Sequence, residues 1–158
     1  MLDPGDGIDV LEVAIELEKT GEDFYEALAA GCDNGQVAQV CLRLAREEAK
    51  HRRTFDALRR RATARDGRAP RRRLPGGTED LARRLILPKP DQVRKVGIGG
   101  RTRDVLELAA RMERSAISYY DDLRQEMPED RDVLSQIIEE ETSHLEALKE
   151  LMAEMGPK

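Results

Sequence analysis

Glu47-Glu48-Ala49-Lys50-His51 and Glu140-Glu141-Thr142-Ser143-His144 are two copies of one string, 93 residues apart in a chain of 158. Each contains Glu-x-x-His, and His51 and His144 are the only two histidines in the chain. A step of three residues on a helix places carboxylate and imidazole on one face about a turn apart, so both can reach one metal ion. A second string repeats at an offset of 95, with Glu18 seven residues before Tyr25 and Glu113 seven before Tyr120. A motif repeated in order at nearly one offset describes two copies of a structural unit.

Working outward from these strings, each copy reads as a helical hairpin. Asp9 is a plausible N-cap for an apolar-periodic run from Val10 through Leu28, and Gly31 suits the end of that helix. A turn at Asp33-Asn34-Gly35 leads to a second helix over about Gln36–Arg61, with Val40, Cys41, Leu44, Ala45, Phe55 and Leu58 on one side. A third helix is expected from about Thr102 to Glu126, and a fourth from near Pro128 to Met155. Between the hairpins, Gly67, Pro70, Pro75, Gly76-Gly77, Pro88, Pro90, Gly97 and Gly99-Gly100 leave room for one short helix, Glu79 to Leu87, capped by Thr78. The expected fold is all-α: a single domain over 1–158, with hairpin one at about 9–62, a crossover at about 63–101 and hairpin two at about 102–155.

The buried stripe of each helix carries a carboxylate. Steps of three, four and seven from Glu18 reach Leu11, Ala14, Ile15, Gly21 and Tyr25; from Glu113 they reach Leu106, Ala109, Ala110, Ala116, Ile117 and Tyr120. Glu48 shares its stripe with Cys41, Leu44, Ala45, His51 and Phe55, and Glu141 with Leu134, Ile137, Ile138, His144, Leu145 and Leu148. One such Glu would ordinarily be an edge residue or part of an ion pair. Four of them, one per helix, with only Arg52 near the stripes as a cation, would repel strongly or take up protons. Two divalent ions would cancel their charge. Glu47 and Glu140, four residues before the histidines, lie off-centre and suit a role behind the ligands.

Composition bounds the function. Aromatic residues are 3% of the chain and Trp is absent, which disfavours sandwiches and barrels. No apolar stretch is long enough for a membrane span. Met1 to Gly7 holds two Asp and no basic apolar leader, so no secretory signal is expected. Cys32 and Cys41 form neither a disulfide framework nor a CxxC pair, and the default location is the cytoplasm. The net charge of −5 is uneven: Arg59 to Arg103 holds 15 Lys and Arg against 4 Asp and Glu, a net of +11, leaving −16 elsewhere. No stacking aromatics interleave these arginines, so nucleic acid is not the expected partner. The basic strap is expected to lie along its own acidic helices or against a partner subunit.

Four helices that each supply a Glu, two of them with Glu-x-x-His, make this chain similar to the ferritin-like di-iron carboxylate superfamily, and within it to the rubrerythrin-type proteins. The strings that carry the resemblance are Glu18-x6-Tyr25, Glu48-x-x-His51, Glu113-x6-Tyr120 and Glu141-x-x-His144. The resemblance implies two iron ions, with Glu18 and Glu113 as terminal ligands, Glu48 and Glu141 bridging, and His51 and His144 each completing one iron. Tyr25 and Tyr120 match family tyrosines that bond to ligand carboxylates; as isolated residues they read equally well as core aromatics. The chain lacks the paired CxxC iron–sulfur module, and Ala116 stands where rubrerythrins carry an additional Glu, with Gly21 at the related place on helix one. Ala49 and Thr142 occupy the positions of the bacterioferritin haem Met, so no haem is expected.

The implied function is a non-haem di-iron oxidoreductase, ferroxidase or peroxidase-like, in which O2 or hydrogen peroxide oxidises Fe(II). Zn or Mn would fit the same donors. An electron-donor protein and a homo-oligomer, a dimer first, are the expected partners. The alternatives are iron storage or delivery without turnover, and a metal that only stabilises the bundle.

Overall fold

In the computed structural model, residues 7–74, 76–89, 91 and 102–156 are described. The remainder of the expected crossover, including Pro75, Pro90, Gly97 and Gly99-Gly100, lies outside the described residues, as do Met1 to Asp6. The architecture is an all-α, ferritin-like bundle. It is built from α1 (Val10–Gly31), α2 (Gly35–Asp66), α4 (Thr102–Glu126) and α5 (Arg131–Glu154), with a short α3 (Gly77–Arg84) between the hairpins. α1 packs along α2 and α4 along α5, while α1 also meets α4 and α2 meets α5.

Local signals set the helix ends. Asp9 caps α1, its side chain accepting from the Glu12 N–H at 3.0 Å, and the Asn34 side chain accepts from the Gln36 and Val37 N–H groups at the start of α2. α2 runs five residues beyond the expected Arg61, to Asp66. Nothing in Ala62-Thr63-Ala64-Arg65-Asp66 breaks a helix, and termination waits for Gly67, which takes φ +76° and donates its N–H to the Thr63 carbonyl at 2.8 Å. The crossover helix is displaced from the expected Glu79–Leu87: it begins after Gly76 and ends at Arg84. Its end has a tertiary cause. The Ser115 hydroxyl donates to the Arg84 carbonyl at 3.0 Å and accepts the Ile86 N–H at 3.2 Å, so both backbone groups bond to α4 rather than extending the helix. The Thr78 side chain, the expected cap, is outside the described side chains.

A two-residue antiparallel bridge was not foreseen. Ile8 pairs with Arg72 and Asp9 with Arg71, tying the entry to α1 to the start of the crossover. Gly7 is needed beside it, because at φ +79° a Cβ would lie 2.6 Å from the Arg72 carbonyl oxygen. Several described arginines of the strap pair within the chain: Arg59 with Asp9 at 2.8 Å, Arg65 and Arg72 with Glu129 at 3.8 and 3.7 Å, and Arg84 with Asp122 at 2.7 Å. Arg103 donates to the Met152 and Gly156 carbonyls, where a cation complements the C-terminus of α5. No described helix is long and apolar enough to cross a membrane.

Two apolar clusters fill the bundle. One, at the loop end of the first hairpin and the open end of the second, includes Leu28, Val37, Leu106 and Leu148. The other includes Leu11, Phe55, Leu123, Met127 and Leu134. The polar residues buried between the helices are Glu18, Glu48, His51, Glu113, Glu141 and His144.

Candidate metal centre

Each of these six side chains comes from a helix interior, and each is at most 4% exposed. Their ligand atoms fall into two overlapping groups, Glu18, Glu48, His51 and Glu141, and Glu48, Glu113, Glu141 and His144, with the atoms of each group within 4.8 Å of one another. Glu48 and Glu141 belong to both groups, whereas Glu18 and Glu113 each belong to one. The two imidazoles lie nearly parallel, with centroids 5.7 Å apart and planes at 23°.

The histidines point one nitrogen inward and one outward. His51 Nδ1 lies 2.9 Å from Glu141 Oε1 and 3.6 Å from Glu18 Oε2, while its Nε2 lies 2.5 Å from Glu140 Oε2. His144 mirrors this, with Nδ1 3.2 Å from Glu48 Oε1 and Nε2 2.5 Å from Glu47 Oε2. Glu47 and Glu140 are therefore partly exposed outer partners of the histidine on the opposite hairpin. A proton held on Nε2 by these carboxylates leaves the Nδ1 lone pair facing the centre. The tyrosines cross in the same manner: Tyr25 donates to Glu113 Oε1 and Tyr120 to Glu18 Oε1, each at 2.5 Å.

Charge is balanced by protons when no metal is bound. Burial pushes Glu48 and Glu141 well above the usual carboxylate range, and neighbouring carboxylates, Glu18 and Glu113 among them, add to the rise. Burial opposes ionisation of Glu18 and Glu113 too, but hydrogen bonds from Glu48 and His51 bring Glu18 down to about 2, and bonds from His144, Glu141 and Tyr25 lower Glu113. Burial would lower the two histidines, yet the surrounding carboxylates raise both well above their ordinary value. Two imidazoliums, two carboxylates and two carboxylic acids are together neutral. So are two divalent ions with four carboxylates and two neutral imidazoles.

The residues also pass a stricter test. Glu18 Oε2 and Glu141 Oε2 are buried without a well-formed hydrogen bond, their nearest imidazole nitrogens being His51 Nδ1 at 3.6 Å and His144 Nδ1 at 3.1 Å. Such an oxygen is costly to bury, and both sit within the two ligand groups, where a cation would satisfy them. Arg52, which follows His51, turns away to bond Glu22 at 2.8 Å.

Sequence periodicity did not single out Tyr119 or Ile86. Tyr119 is fully buried and donates to the Val10 carbonyl at 2.6 Å, holding α4 to the start of α1. Ile86 reaches the centre from the crossover and, with Leu17, Gly21, Met112, Ala116 and the four ligand carboxylates, lines a cavity of about 20 Å³.

The rubrerythrin family model matches residues 9–74, which span the first hairpin and the start of the crossover. Among solved structures, a Thermotoga maritima protein described as a ferritin-like diiron-carboxylate protein superposes with a TM-score of 0.72. It is 25% identical, and the match covers 92% of this chain and 93% of that one. No curated protein sequence matches the chain. A four-helix bundle with a buried centre of four Glu and two His, one Glu per helix, defines the ferritin-like di-iron carboxylate class. The chain is similar to that class over nearly its whole length, and its first hairpin is similar to the rubrerythrin family.

Proposed function

We propose that this chain is a non-haem di-iron oxidoreductase in which O2 or hydrogen peroxide oxidises Fe(II), as a ferroxidase or a peroxidase-like protein. The observation that carries this reading is the pair of overlapping four-residue ligand groups sharing Glu48 and Glu141, each group containing a buried carboxylate oxygen without a well-formed hydrogen bond. Glu18 with His51 would hold one ion and Glu113 with His144 the other, and Glu48 and Glu141 would serve both. When bound, iron supplies one electron per ion to a small oxidant. The chain's own residues do the rest. Glu47 and Glu140 fix the imidazole tautomer, and Tyr25 and Tyr120 hold one oxygen of Glu113 and of Glu18. Phe55 and the adjoining apolar cluster exclude water.

The size of the cavity supports a small oxidant over an organic substrate, since about 20 Å³ admits on the order of one or two water-sized molecules. Repeated turnover calls for a separate electron-donor protein, and Mn or Zn would compete for the same donors. The deciding experiment loads the metal-free protein with two equivalents of Fe(II), adds O2 or peroxide, and follows near-ultraviolet charge-transfer absorption through cycles of re-reduction. A band that returns in every cycle is the expected result. No band with either oxidant refutes the redox function, and a single turnover that cannot be repeated assigns the chain to iron storage or delivery.

A further inference from the structure

We propose that Ile86, a residue of the crossover and not of the bundle, sets the size of oxidant that reaches the centre. This inference rests on the redox reading above. The approach between α1 and α4 is lined by side chains that leave space: Gly21 has none and Ala116 has only a methyl group. A Cβ at Gly21 would already lie 3.4 Å from Glu48 Cδ, so the opening leads directly onto a carboxylate shared by both ligand groups. Leu17 and Met112 complete the apolar walls, and Ile86 enters from outside the four helices.

The position of Ile86 is held, not incidental. Its own N–H bonds the Ser115 hydroxyl at 3.2 Å, and that hydroxyl bonds the Arg84 carbonyl at 3.0 Å. The Arg84 guanidinium reaches Asp122 at 2.7 Å and Ser118 at 3.1 Å, so three residues of α4 pin the three-residue segment Arg84–Ile86. Leu85 packs on one apolar cluster and Ile86 on the other, which fixes which of the two faces the opening. The space among these side chains and the carboxylates is only about 20 Å³, so with Ile86 in place the approach favours hydrogen peroxide or O2 over a bulkier alkyl hydroperoxide. The reaction itself is unchanged by the size of R. Reduction of ROOH would draw one electron from each of two bound Fe(II) ions and two protons from solution, breaking the O–O bond, so that ROOH + 2 Fe(II) + 2 H+ gives ROH + H2O + 2 Fe(III).

The test compares hydrogen peroxide with tert-butyl hydroperoxide on the Fe(II)-loaded protein, for wild type, Ile86→Ala and the exposed neighbour variant Leu87→Ala. Wild type and Leu87→Ala should favour hydrogen peroxide by at least about tenfold, and Ile86→Ala should remove most of that preference, given what small volume changes in an apolar site are worth. A parallel measurement needs no turnover: azide and benzoate are titrated into the Co(II)-loaded proteins while the visible d–d bands are followed. Azide should perturb all three, and benzoate Ile86→Ala alone. Equal rates for both peroxides in wild type, or wild-type selectivity in an Ile86→Ala protein that keeps its helical circular dichroism, overturns the proposal. If neither peroxide oxidises iron in wild type, the redox function fails, and the azide and benzoate titrations still decide whether Ile86 controls access.

Discussion

The Tyr120 hydroxyl on α4 donates to Glu18 Oε1 on α1 across 2.5 Å, and Tyr25 on α1 returns the same bond to Glu113 on α4. Each tyrosine thus holds the carboxylate that the opposite hairpin contributes. Burial, and then the Glu18 and Glu113 carboxylates themselves, push both phenols well above their ordinary value, so they remain donors throughout the physiological range.

Tyr25→Phe and Tyr120→Phe should each leave a buried carboxylate oxygen unpartnered and lower the stability of the metal-free protein by about 1–3 kcal/mol. With metal bound, the loss should be smaller, because the cation stabilises the same carboxylate. Chemical denaturation with and without two equivalents of Co(II) checks both statements.

Removing a shared carboxylate should do far more. Glu48→Ala or Glu141→Ala takes a donor from both ligand groups at once and should abolish most metal binding. Glu18→Ala should leave the group around Glu113 and His144 complete, with about one ion per chain. Metal analysis after desalting reads the stoichiometry; two ions retained by Glu48→Ala would refute the assignment.

The outer carboxylates offer a separate handle. Glu47→Gln and Glu140→Gln keep side-chain volume while weakening the bond to His144 Nε2 and His51 Nε2. Metal affinity should fall about 10- to 100-fold, the usual effect of losing a partner behind a ligating histidine. A competition titration against a coloured chelator measures it.

Metal binding should release protons. Burial and like charge raise Glu48 and Glu141, and the surrounding carboxylates outweigh burial to raise His51 and His144. All four groups are therefore protonated at neutral pH in the metal-free protein and must deprotonate to bind. Protons compete with metal, so affinity rises with pH and falls as the solution is acidified. About four protons should leave as two divalent ions bind near pH 7, measurable by calorimetry in buffers of different ionisation enthalpy.

At the entry to α1, Asp9→Ala removes a cap and the partner of Arg59. Destabilisation of about 1–2 kcal/mol is expected from the cap alone, with metal stoichiometry unchanged, because Asp9 lies about two and a half turns before Glu18. Thermal melts of the metal-free and loaded protein separate the two effects.

Helices and inward-facing ligands were legible in the residue order because both depend on local periodicity. A carboxylate three residues from a histidine shares its face whatever else the chain does, and apolar neighbours at three, four and seven residues declare which face is buried. Helix ends were legible where the determinants are local, at Asp9 and at the Asp33-Asn34-Gly35 turn, whereas the end of α2 was expected at Arg61, five residues short of its stop before Gly67. The end of α3 was not legible, since Ser115 of a distant helix captures the backbone at Arg84 and Ile86.

Residue order alone determined that four glutamates and two histidines would be buried together in an all-α chain, and that so much buried acid required protons or metal. Only the tertiary structure decided the pairing across the hairpins: Glu47 with His144, Glu140 with His51, Tyr25 with Glu113 and Tyr120 with Glu18. It also decided that a crossover isoleucine borders the approach to the centre. The physical reason is range. Helical periodicity is set by neighbours within two turns, whereas these contacts join residues 88 to 102 apart along the chain, or side chains from a loop with no period. Contacts of that kind depend on how the hairpins dock.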